Sequence, residues 1–256
     1  MSRSETLAAA TQDSSAVVDW VHMTNSRFWL TRAVRPALMV AAFVSLASLS
    51  PLAAAPEPPA PLARLKTGNE HYVKGLQSDA PLTAATRQAL TKEQHPFAMV
   101  LSCADSRVPP EYIFNVGLGD LFVVRAAGEV VDRSVMASLE YGAEHLHIPL
   151  LVVMGHESCG AVKTAVEAEH GEGPNLEYLV SHIRAGIMHS PGEQKELRGA
   201  ILANVEQVIN DAMGGSEILR QAATSGHLQV VGAYYELGSG NVVFSEPVGT
   251  TTAAHK

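Results

Sequence analysis

The segment Cys103-Ala104-Asp105-Ser106-Arg107 places a thiol, a carboxylate and a guanidinium at alternate positions. It follows an apolar run, Phe97-Ala98-Met99-Val100-Leu101, that reads as a buried strand. Such groups at a strand exit are costly to bury without partners. The only other cysteine, Cys159, lies in Gly155-His156-Glu157-Ser158-Cys159-Gly160, after the apolar run Leu150-Leu151-Val152-Val153-Met154. Two strand ends thus present two thiols and one imidazole, a soft donor set suited to zinc. His156 precedes Cys159 by three residues, so both can turn towards one point, and Cys103 would supply the third ligand. Three protein ligands leave one zinc position free, as in a catalytic site. Asp105 is the nearby candidate for a fourth ligand in a closed state. Alternatively it pairs with Arg107 and leaves that position to water, which zinc would convert to a hydroxide near neutrality. Cys159 opens a helix, and both the helix N-terminus and a metal would favour its thiolate. A disulfide between the two cysteines is the competing reading for an exported protein. It has no need of His156, Asp105 or Arg107.

The elements that position these groups follow from periodicity. Leu62 to Leu76 reads as a helix, ended by Gly75 and the polar stretch to Pro81. Thr83 caps a second short helix to about Lys92. Phe97–Ser102 is the first core strand, and Val108-Pro109-Pro110-Glu111 starts a turn. Leu121–Arg125 reads as a second buried strand, and Ile148–Met154 as a third. Between them, Asp132 or Ser134 caps a helix to about His145 with an apolar stripe at Val135, Leu139, Tyr141-Gly142 and Leu146. A helix opened by Cys159 runs to about Glu169, followed by a loop at His170–Pro174. Two longer helices, Leu176–Met188 and Glu193–Met213, are broken by Ser190-Pro191-Gly192, and Ser216 caps another. Leu228–Tyr235 and Val242–Phe244 are late strands, separated by Leu237–Asn241, which suggests an antiparallel hairpin at a sheet edge. Strands alternating with helices predict an α/β fold: a mostly parallel central sheet covered by helices, with an antiparallel edge strand. In such sheets the site lies beyond the carboxyl ends of the strands, where Cys103 and His156 fall.

The chain has 256 residues, 46% of them hydrophobic, and a net charge of -8. An acidic balance argues against a nucleic-acid partner. Residues 1–55 read as an N-terminal extension and secretory signal peptide. Arg27, Arg32 and Arg35 precede an apolar run from Ala37 to Leu49, which ends in Ala53-Ala54-Ala55. Residues 23–55 alone make a complete signal, so Met23 is a candidate start. The apolar run falls short of the roughly 20 residues of a spanning helix; an uncleaved anchor is the alternative. Residues 56–256, opening on the Pro-rich Pro56–Pro61, read as a single catalytic domain that is periplasmic or secreted after cleavage.

Cys-Ala-Asp-Ser-Arg-Val (103–108) and Gly-His-Glu-Ser-Cys-Gly-Ala-Val (155–162) resemble the two signatures of the β-class carbonic anhydrases. Gly119–Gly128 and the lead-in Gly68-Asn69-Glu70-x-Tyr72-Val73 are similar to that family too, so the resemblance spans about residues 60–247. It implies one Zn2+ per chain held by Cys103, His156 and Cys159, with an Asp105–Arg107 pair beside it. It implies reversible hydration of carbon dioxide to bicarbonate and a proton. It also implies a homodimer as the minimal unit, often paired into a homotetramer; the charge predicts no nucleic-acid partner, and no stable membrane partner is expected after signal removal. The chain departs from the family at two places. Many members carry a substrate-contacting glutamine near Val116 or Gly117, and many read Ala-Gly-Asn where this chain has Ala127-Gly128-Glu129. Both departures bear on substrate-side polar contacts rather than on the metal-binding segments.

Two rival functions come from other classes. One is a non-catalytic zinc or redox protein, with the metal closed by Asp105 or the cysteines oxidised. The other is a sibling hydrolase acting on another small linear molecule such as carbon disulfide. The remaining histidines show no ligand spacing to a cysteine, and the Gly117–Gly119 loop lacks the pattern of a phosphate site.

Overall fold

Five apolar runs assemble into one sheet in the order β2-β1-β3-β4-β5. They are β1 (Ala98–Ser102), β2 (Leu121–Arg125), β3 (Leu150–His156), β4 (Gln229–Tyr235) and β5 (Val242–Phe244). The computed structural model describes residues 60–78, 80–167, 173–189 and 196–248. The signal-peptide reading, the His170–Glu172 part of the loop and the Ser190-Pro191-Gly192 break lie outside the described residues. β1 pairs in parallel with β2 and β3, β3 in parallel with β4, and β5 antiparallel with β4. The expected α/β sheet with an antiparallel edge strand is what forms.

Burial follows the pleat. Alternate residues of β1 enter opposite cores: Ala98 and Val100 on one face, Met99 and Leu101 on the other. All five residues of β1 and all seven of β3 are buried, as expected of inner parallel strands. β2 differs from expectation. It lies at the sheet edge and is only half-buried, because no strand covers its outer side among the described residues.

Helices cover both faces. They are α1 (Pro61–Val73), α2 (Ala84–Ala89), α3 (Pro110–Ile113), α4 (Arg133–Glu144), α5 (Gly160–Glu167), α6 (Pro174–His189), α7 (Leu197–Gly215) and α8 (Glu217–Thr224). Several starts follow from side-chain caps. Asp132 Oδ1 accepts from the Ser134 and Val135 amides, both at 2.8 Å. Ser216 Oγ accepts from the Leu219 amide and donates to Glu140 Oε1, tying α8 to α4. Tyr141, expected on the buried stripe of α4, is exposed; Val135, Leu139 and Gly142 are the buried positions. The Val108–Glu111 turn becomes α3, where Pro110 opens a single turn of helix.

α1 is locked to the domain by two adjacent residues. A Cβ on Gly68 would meet the Phe114 carbonyl oxygen at 1.9 Å, so only glycine permits this approach of α1 to α3. Asn69 is buried and fully engaged. Its Nδ2 donates to the Ile113 and Gly240 carbonyls, and its Oδ1 accepts from the Val242 amide.

The chain leaves β1 towards β2 on one side and then crosses to β3 on the other. The carboxyl ends of β1 and β3 therefore face the point where strand order reverses, the usual crevice of open α/β sheets.

Candidate metal centre and active site

Cys103 directly follows β1, His156 is the last residue of β3, and Cys159 directly precedes α5. The third strand runs two residues further than the periodicity indicated, so His156 is still in register, opposite Tyr235. The Glu157 amide then donates to the Tyr235 carbonyl at 2.8 Å, extending the ladder. Ser158 adopts a left-handed backbone, φ 56°. This reverses the chain and turns Cys159 back towards His156.

One ligand atom from each of Cys103, His156 and Cys159 lies within 4.8 Å of the other two. All three residues are buried, and both cysteines are free. His156 Nδ1 is 2.8 Å from the Glu157 carbonyl oxygen, to which it donates. That contact puts the lone pair on Nε2. Nε2 is buried and has no protein partner, and a buried imidazole nitrogen left so calls for a ligand. Two sulfurs and this nitrogen around one point fit zinc in donor type and number.

The two thiols share one enclosed space. Cys103 is pushed down to about 4, first by a hydrogen bond from Cys159 and then by His156 and the Asp105 and Gly128 amides, against burial. Cys159 is pushed up, first by its hydrogen bond to Cys103 and then by burial. The two shifts are opposite faces of one shared interaction, and a bound cation would stabilise both thiolates.

Asp105 and Arg107 stand beside this cluster as a closed fork. Arg107 Nε donates to Asp105 Oδ1 at 2.9 Å and Arg107 Nη2 to Oδ2 at 2.6 Å, while the Arg107 amide also donates to Oδ1. These hydrogen bonds from Arg107 hold the Asp105 carboxyl well below the usual carboxylate range. Both Asp105 oxygens are thus engaged by Arg107.

Three supports of the site were not anticipated. Arg125, at the end of β2, donates from Nε to the Cys103 carbonyl at 2.9 Å and from Nη2 to the Asp105 carbonyl at 2.5 Å. It fixes the loop that carries both residues. Arg125 lies in the Gly119–Gly128 segment of the resemblance, which assigned it no role. The Gly128 amide donates to Cys103 Sγ at 3.4 Å. Glu129 is fully buried and receives Asn204 from α7. The departure at Glu129 thus falls in the protein interior and not on a solvent-facing substrate wall.

The comparisons with known proteins agree with this geometry. The carbonic anhydrase family profile matches residues 98–242, which include every donor named above. Carbonic anhydrase 2 of Mycobacterium tuberculosis is 35% identical over 194 residues, covering 72% of this chain and 91% of that protein. The carbonic anhydrase of Mycolicibacterium smegmatis is 36% identical over 196 residues, covering 72% and 92%. Among solved structures, the Coccomyxa β-carbonic anhydrase in complex with acetazolamide is 26% identical with a TM-score of 0.56, covering 73% of this chain and 87% of that one. A chain that folds, aligns and places its cysteines and histidine in this way belongs to the carbonic anhydrase family, in its β class.

Proposed function

We propose that this chain catalyses the reversible hydration of carbon dioxide to bicarbonate and a proton, using one zinc ion held by Cys103, His156 and Cys159. The observation that carries the reading is the convergence of these three buried donors beside an Asp105 whose oxygens are both engaged by Arg107. When bound, zinc supplies a Lewis acid that makes a water molecule acidic enough to attack near neutrality.

The chain's own residues set the conditions for that attack. Arg107 withholds the Asp105 carboxylate from the metal position, leaving it open to water. Asp105 stays ionised, because Arg107 stabilises its charged form. It therefore remains an acceptor throughout the neutral range and can take a hydrogen bond from the attacking water, orienting the oxygen towards carbon. Arg125 holds the Cys103–Asp105 backbone, so donor and acceptor keep their spacing. His156 is fixed in one tautomer by the Glu157 carbonyl.

The catalytic domain comprises residues 56–256 and is exported after cleavage near residue 55, a reading supported by the basic, apolar and small-residue order of residues 27–55. It works as a homodimer or homotetramer. The half-buried, parallel edge strand β2 supports this, since such edges are normally covered.

Stopped-flow measurement of carbon dioxide hydration, run beside a carbon disulfide hydrolysis assay, tests the function. Hydration activity that acetazolamide slows is expected, with carbon disulfide unreacted. Turnover of carbon disulfide alone, or zinc without either activity, overturns the reading.

A further inference from the structure

Glu129 is 0% exposed, yet it carries a carboxyl group. Its Oε2 has no partner. Its backbone is left-handed at φ 45°, directly after Gly128 at φ 61°, a conformation that costs a non-glycine residue about 1 kcal/mol or more. A buried, strained and half-satisfied acid is an expensive way to fill space, and an apolar residue would fill it at less cost. Its contacts indicate what it does there. Asn204, itself buried, donates from Nδ2 to the Gly128 carbonyl at 2.8 Å and to Glu129 Oε1 at 3.0 Å. The same Gly128 sends its amide to Cys103 Sγ. On the other side, Oε1 lies against Gly155, where an added Cβ would come within 3.3 Å of it. Gly155 immediately precedes His156 in β3. Through Asn204 on one side and beside Gly155 on the other, this carboxyl adjoins the backbone that supports two of the three donors, next to α7.

We infer that Glu129, clamped by Asn204, is a positioning residue for the metal centre: it fixes the Gly128 amide on the Cys103 sulfur and braces the end of β3 that carries His156. This rests on the reading of Cys103, His156 and Cys159 as the metal donors. The accepting Oε1 is the working atom, so a glutamine should serve as well as the acid. A side chain of similar size without an acceptor should not.

The test uses the full-length protein, loaded with zinc or with cobalt(II) as a spectroscopic substitute, in the wild type and the variants Glu129→Met, Glu129→Gln and Asn204→Ala. Zinc loss to a chelator and the thiolate-to-cobalt charge-transfer band are measured, with thermal unfolding alongside. Glu129→Met and Asn204→Ala should weaken zinc retention about tenfold or more, the size usual for partners that hold metal ligands in place, and should shift the cobalt band. Glu129→Gln should match the wild type in both. Glu129→Met or Asn204→Ala with wild-type retention and an unshifted band, whatever its thermal stability, overturns the inference. Glu129→Gln shifting as far as Glu129→Met overturns it as well. If Glu129→Met does not fold, Asn204→Ala, which leaves the carboxyl in place, decides alone. Absence of a thiolate band in the wild type contradicts the donor assignment itself, which separates the two failures.

Discussion

Arg107 has a neighbour it cannot release without consequence. An aspartate two residues from Cys103 is drawn to any cation held there, and a bidentate guanidinium is what competes for it. Arg107→Ala should therefore keep its zinc and lose most activity, more than tenfold, across the pH range. Arg107→Lys should fall between, because lysine keeps the charge but lacks the fork. Metal analysis with stopped-flow hydration checks both, and a fully active Arg107→Ala would show that the pair does not hold the site open. Glu129 makes a second residue-scale prediction. Burial first, and then the negative charge of Cys103, push its carboxyl from the ordinary 4.5 up to about 8. Between these values the folded protein holds a proton that the unfolded chain has released, so this group makes stability fall as pH rises from about 4.5 to 8. Urea unfolding of the wild type and Glu129→Gln at several pH values should show the difference between them growing in favour of the glutamine through that window. Parallel curves would mean the acid is not held protonated. The donors were legible in the sequence because each lies in a short contiguous motif at a strand end. Asn204 and Glu129 were not, since 75 residues separate them and no local pattern marks a side-chain contact of that range.

At the scale of elements, the buried strands were plain because inner parallel strands are apolar without interruption, as in β1 and β3. β2 carries a similar apolar sequence, so its edge position could not be read from composition; only pairing order shows it. α3 escaped because a four-residue helix opened by proline has the sequence of a turn. The Gly68-Asn69 pair could be quoted as part of a motif, but its task emerges from packing: close approach to Phe114 and three hydrogen bonds that join α1 to α3 and β5. Gly68→Ala must push α1 away from a backbone carbonyl and should cost about 2 kcal/mol, within the usual range for overpacking. In a domain of this size that lowers Tm by roughly 4–8 °C. Asn69→Ala, which strands a buried amide and two carbonyls, should cost about as much or more. Calorimetry of the two variants decides it, and an unchanged Tm for Gly68→Ala would show that α1 is not seated as described.

At the scale of the whole molecule, a β2 edge that no strand covers among the described residues favours assembly. Light scattering of residues 56–256 should give two or four times the chain mass; a monomeric wild type would contradict the oligomer. In the proposed mechanism one zinc ion, held by two cysteines and one histidine, makes this chain a carbonic anhydrase. Titrating zinc into the metal-stripped protein while following carbon dioxide hydration tests this. The rate should rise linearly from near zero and break at one zinc per chain, and a Cys159→Ser variant should show neither the slope nor the break. Full activity in the stripped protein, or a zinc-loaded protein that does not hydrate carbon dioxide, would rule out zinc-dependent hydration by this chain.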